Sequence, residues 1–186
     1  MKTYSTIGCC GIDCGLCPRF NSNGASACPG CCGKDFRDKH PSCGFVTCCV
    51  GKRGLETCAD CSEFTCKRFD REGSGLDSFV THRRVFPNLE SIKFNGIDQF
   101  ILQQRIRITV LETFLKGFDD GRSKSFYCLA CALLPIEELN ECRKFIDQID
   151  ESINVKEKSK MLRTYIQKIA DALKIELKLN NKKNSA

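Results

Sequence analysis

What this chain lacks narrows its function before any motif is considered. No apolar run approaches the roughly 20 residues that a membrane-spanning helix needs. Residues 1–8 lack the apolar core of a secretory signal, so a soluble cytoplasmic protein with no membrane partner is expected. There is no Ser-His-Asp order, no nucleophile elbow, no paired-carboxylate motif and no His-Glu-x-x-His. A phosphate-binding loop of the form Gly-x4-Gly-Lys-Ser/Thr is missing too. No catalytic residue is nominated, and an enzyme is not the favoured reading.

What the chain has instead is sulfur. It carries 16 cysteines in 186 residues, and 13 of them fall between residues 9 and 66. Three Cys-x-x-Cys pairs lie there: Cys14 with Cys17, Cys28 with Cys31, and Cys58 with Cys61, followed by Cys66. A reducing cytosol disfavours a disulfide framework, so these thiols read as ligands for a soft metal. Two intervening residues let one tight turn present two sulfurs to one ion, and zinc takes four such ligands. Between the cysteines stand Gly, Pro, Ser, Asn, Asp and Lys with no period of 2 or 3.6. Such a stretch buries little apolar surface, and metal binding supplies the missing folding free energy.

Iron–sulfur is the rival. Cys10-x3-Cys14-x2-Cys17 matches the cluster spacing of radical S-adenosylmethionine enzymes, but the strands of their barrel are missing. The bacterial ferredoxin spacing is absent as well. A less regular cluster stays open beside two or three zinc ions. The formal charge of +6 does not indicate nucleic acid. Each ion held by four thiolates carries a net −2, so two such sites bring the total to about +2.

The expected fold class is mainly α: an irregular, metal-stapled cysteine-rich module over residues 1–72, then an α-helical domain over 76–180 and a polar disordered tail over 181–186. A helix is expected over 62–71, ending at the glycines of 73–75. A short one over 76–86 is stopped by Pro87. Others follow over 97–115, ended by Gly117, and over 123–133, and Pro135 opens the next. Leu139, Cys142, Ile146, Ile149 and Ile153 recur at steps of three and four, and Val155 to Leu173 repeats the pattern. The two make an antiparallel hairpin joined near Asn154. This helical half is the expected surface for a protein partner.

Further candidates carry weaker signals. Of the adjacent pairs, one sulfur can enter a site while its neighbour points away, which leaves Cys9, Cys32 and Cys49 as additional ligands, core thiols or redox groups. His40 precedes Cys43 by three and is either a ligand or a solvated loop residue. Cys128 and Cys131 share a helix face, where core packing is the plainer reading and ligation the alternative. Arg122 and Lys124 flank a glycine turn that opens a helix, either an anion site or an ordinary capped start.

The run Cys10-Gly-Ile-Asp-Cys14-Gly-Leu-Cys17-Pro18, then Cys28-Pro-Gly-Cys31, then Cys43-x4-Cys48 and Lys52-Arg-Gly-Leu-Glu-Thr-Cys58-Ala-Asp-Cys61-Ser-Glu-Phe-Thr-Cys66 together resemble the domain of unknown function 3795 family. In the second half, Gly121-Arg-Ser-Lys-Ser-Phe-Tyr-Cys128 and Leu133-Leu-Pro135 resemble its longer members. That family is prokaryotic, cysteine-rich, without an assigned reaction, and expected to bind metal. The resemblance implies a patterned ligand set of Cys10, Cys14, Cys17, Cys28, Cys31, Cys43, Cys48, Cys58, Cys61 and Cys66. Cys9, Cys32 and Cys49 depart from the pattern, as does Thr65, where many members have proline. A cysteine that some members carry near Cys43 is missing here. The resulting expectation is a metal-binding, interaction-mediating module, with a thiol or iron–sulfur redox protein as the alternative.

Overall fold

A computed structural model describes residues 2–40, 42–70 and 76–180. Among these the regular structure is helical, with no strand, in agreement with a mainly α fold. No described helix is long and apolar enough to cross a membrane. The chain forms two compact units, one reaching Leu102 and including Leu179 and Asn180, the other spanning Gln103–Lys178.

The first unit contains a one-turn helix α1 (Phe36–Lys39), a π-helical turn over Val46–Lys52, short 3-10 turns at Cys14–Leu16, Cys58–Asp60 and Lys67–Phe69, and helix α2 (Val85–Asn95). Backbone hydrogen bonds between distant loops hold it: Cys58 N to Cys9 O at 2.8 Å, Cys31 N to Ser5 O at 2.8 Å and Gly15 N to Thr6 O at 2.7 Å. Glu56 pins the amino-terminal strap. Its carboxylate accepts from the amides of Thr3 and Tyr4 and from the buried ammonium of Lys2, all within 2.9 Å.

Helix α2 seals this unit through Leu89 and Ile92, which join Ile7, Phe69 and the buried cysteines in one core. Its Asn88 side-chain amide donates to Gly11 O at 3.0 Å. The division expected at 73–75 lies outside the described residues, whereas the compact unit runs on to Leu102 because α2 supplies its apolar lid. The tail over 181–186 also lies outside the described residues.

Two expected helices of this half do not form. Over 62–70 the chain makes turns and one 3-10 turn. A helix would set Phe64 and Phe69 about 140° apart around its axis, yet both rings meet, 5.3 Å between centroids, in a cluster with Phe45 and Phe86. Over 76–84 Asp77 organises an irregular turn, accepting from His82 N at 2.7 Å and from the Thr81 hydroxyl at 3.2 Å. Pro87 does not stop a helix. It is the third residue of α2, where its missing amide would have no intrahelical partner anyway.

Helix α3 (Ile97–Phe118) begins in the first unit and carries Gly117 without ending there. The second unit adds α4 (Lys124–Leu133), α5 (Ile136–Ile146) and α6 (Val155–Ala172). Arg107 closes the end of α4 by donating to the carbonyls of Cys131 and Leu134 at 2.7 and 2.6 Å. Pro135 is the N-cap of α5. Asn154 caps α6 by accepting from Glu157 N at 3.0 Å, and Phe145 stacks on Tyr165 at 4.1 Å across the hairpin.

Candidate metal centre

Four turns of the first unit each deliver one sulfur to a common buried row. Cys9 lies inside the turn closed by Gly8 N to Ile12 O at 2.7 Å. Cys31 ends the Pro-Gly turn, where Gly30 has φ +78° and a Cβ would strike Ser5 O. Cys49 sits in the π-helical turn. Cys58 opens the 3-10 turn capped by Thr57, whose hydroxyl accepts from Ala59 N at 3.3 Å. The four residues are 1, 5, 2 and 8% exposed in chain order.

Their side chains touch in sequence. Cys58 meets Cys49, Cys49 meets Cys9, Cys9 meets Cys31, and Cys32 adds itself to Cys31. The hydrogen bonds sort the protons. Cys49 is held down to about 4, first by the bond from Cys58 and then by that from Cys9. Cys31 is held down to about 6 by the bond from Cys9, which outweighs desolvation, with help from the Cys9 amide and the Lys2 ammonium. Cys9 and Cys58, which donate, are pushed far above the ordinary thiol range. Cys32 is pushed up to about 11 by desolvation and the charge on Cys31. Alternating thiol and thiolate therefore lie side by side, and Lys2 offsets part of the charge.

Cys10, Cys14, Cys17, Cys28 and Cys43 line an adjoining cavity of about 490 Å³ together with His40. Desolvation raises Cys14 well above the ordinary range and also raises Cys17, which the backbone amides of Phe20 and Arg19 partly counter. The His40 ring stacks on Phe36, centroids 4.6 Å apart. A third group is open to solvent. Cys48 and Cys66 line a pocket with Arg53, Lys67 and Arg68, Cys61 lies beside Arg53, and Arg53 pairs with Glu63 at 2.6 Å.

The vicinal pair Cys48–Cys49 is thus split between neighbouring groups, whereas Cys31 and Cys32 stay together. Cys49 faces the buried row and Cys48 faces Arg53; Cys58 joins the row, and Cys61 lies near Arg53. Two of the cysteines outside the family pattern, Cys9 and Cys49, stand at the centre of the row. The sequence offers both only as additional ligands, and at Cys49 a π-helical turn, not a regular period, sets which of two adjacent sulfurs points inward.

The remaining candidates lie elsewhere. Cys128 and Cys131 are buried in α4 at 2 and 0% exposure, with Cys142 buried in the same unit; desolvation pushes Cys142 up to about 12. At the start of α4 the turn amides are taken. Asp119 accepts from the amides of Gly121 and Ser123, and Asp120 accepts from that of Arg122, all within 3.2 Å. Arg122 and Lys124 therefore flank an anion position that the chain fills itself.

Among the described residues no three Cys, His, Asp or Glu side chains form a ready cage for one ion. The donor set of the row nevertheless suits a soft metal in its chemistry. Four thiolates about 2.3 Å from a tetrahedral zinc stand about 3.8 Å from one another, the spacing of hydrogen-bonded thiols. Three contacts join the four sulfurs in a line, so binding would close the line into a tetrahedron. Compared with known proteins, the chain matches no family model, no curated protein and no solved structure.

Proposed function

We propose that this chain is a cytoplasmic thiolate metal-binding protein whose buried row, Cys9, Cys31, Cys49 and Cys58, holds a zinc ion. The supporting observation is the convergence of four buried sulfurs from four separate turns. Hydrogen bonds from Cys9 and Cys58 lower Cys31 and Cys49 toward the thiolate form that a metal ligand needs, and zinc displaces the remaining thiol protons. When bound, zinc would supply structural cross-linking of the four turns. Membership of the domain of unknown function 3795 family belongs to the same proposal, with the helical unit as the surface for a protein partner.

Elemental analysis of protein purified without oxygen tests this. Zinc should be present in the wild type, and Cys49→Ser and Cys9→Ser should each lose about one ion per chain. Cys48→Ser should keep it. Equal zinc in Cys49→Ser and wild type would remove the row as its site.

A second reading is favoured by the contact between Cys49 and the protonated Cys9 and Cys58. The same row, left without metal, is placed for thiol–disulfide chemistry. It would then form disulfides under mild oxidation, and zinc loading would not block them.

A further inference from the structure

The cavity beside the row has dimensions that a single ion does not call for. A zinc held by four thiolates occupies the space between touching sulfurs, whereas this cavity is about 490 Å³. Cys10, Cys14, Cys17 and Cys28 stand around its wall, with Phe20 and Phe36 on its apolar side and His40 and Arg68 also on the wall. Three of these sulfurs come from one short loop, Cys10 to Cys17. The fourth is brought alongside by the Cys28 N to Arg19 O hydrogen bond at 2.9 Å. The Cys17 sulfur accepts from the backbone amides of Arg19 and Phe20, the kind of contact that stabilises thiolates on iron and tunes cluster potential.

We infer that this cavity is an iron–sulfur cluster site, with Cys10, Cys14, Cys17 and Cys28 as its four cysteine ligands. A cluster brings its own sulfide and fills a volume that one ion leaves empty. The half-buried rings of Phe20 and Phe36 cover part of it with apolar surface. Ligation is exchange without electron transfer: four thiols release four protons to solvent, and their sulfurs replace the cluster's four terminal ligands. Cys9 and Cys31 also line this cavity, so the row and the cluster site are neighbours with separate ligand sets: Cys9 and Cys31 serve the row, Cys10 and Cys28 the cluster.

The test is anaerobic reconstitution of the full chain with ferrous and ferric iron in equal parts plus sulfide. That mixture supplies a [4Fe–4S]2+ core with no net oxidation or reduction. The expected result is about four iron and four sulfide per chain, with broad visible absorption. Cys14→Ala and Cys28→Ala should bring iron and sulfide to background and leave row zinc unchanged; Cys66→Ala should retain both. Cys49→Ser should do the reverse, losing zinc and keeping iron, so failure of the zinc reading and failure of the cluster are distinguishable. Wild type that takes up zinc alone, or iron without sulfide, overturns the cluster even if a variant does not fold.

Discussion

Cys49 and Cys9, forty positions apart in the chain, share a hydrogen bond at the centre of the buried row, and the proton lies with Cys9. This contact gives the metal-free, reduced chain a defined pH profile. An unfolded thiol titrates at about 8.5. Cys49 and Cys31, held down to about 4 and about 6, add stability that is fully present above about 8.5 and is lost as pH falls. Both contributions decline between about 8.5 and 6, and below 6 only that of Cys49 continues to decline, ending near 4. Cys9 and Cys58 have the opposite sign. They stay protonated in the fold, so their contribution is lost as pH rises past about 8.5.

Stability of the apo protein should therefore peak near about pH 8.5. Urea unfolding in the presence of a chelator and a reductant measures it. Cys49→Ser removes one thiolate and should flatten the acid limb. An acid limb of unchanged slope in that variant would show that Cys49 does not carry the charge.

Glu56 and Lys2 form a partly buried pair on which the amino-terminal strap depends. The Lys2 side chain is 0% exposed and that of Glu56 19%. Glu56→Ala strands a buried ammonium and leaves the Thr3 and Tyr4 amides without their acceptor, at a cost of about 3 kcal/mol. Lys2→Met removes the charge with its desolvation cost and leaves Glu56 two amide donors, so it should cost about 1 kcal/mol or less. Chemical denaturation of both variants gives the order. Equal losses would mean that the strap is held by something other than this carboxylate.

Much of the helical half was legible because its apolar residues recur at 3.6. Leu139, Cys142 and Ile146 line one face of α5, and Leu162 and Ile166 line one of α6, all five buried, whereas Val155 and Leu173 at the ends of the α6 pattern are exposed. The cysteine-rich half offers no such period. Its composition announced turns and sulfur, but which sulfurs meet depends on long-range backbone bonds such as Cys58 N to Cys9 O. Local pattern also misled at Phe64 and Phe69, where an aromatic cluster overrides helical spacing. The capping of α2 was hidden for a similar reason. Pro87 reads as a breaker until the helix is seen to start at Val85, two residues earlier.

Gly11 is where the cysteine loop and α2 come closest, and it tests whether that contact fixes the site. Its φ is +91°, a region that disfavours side chains, and a Cβ there would stand 2.5 Å from Val85 O and 2.8 Å from Leu89 Cγ. The same residue's carbonyl receives Asn88, so the loop cannot move away without losing a buried hydrogen bond. Gly11→Ala should combine backbone strain with overpacking and cost at least about 2 kcal/mol. Because Cys9 and Cys10 immediately precede Gly11, the variant should also bind zinc more weakly. Asn88→Ala, which leaves the Gly11 carbonyl buried without its donor, should cost about 1–3 kcal/mol. Thermal unfolding and a competitive zinc titration together measure both effects. A Gly11→Ala protein with wild-type stability and wild-type zinc affinity would mean that α2 does not hold the cysteine loop in place.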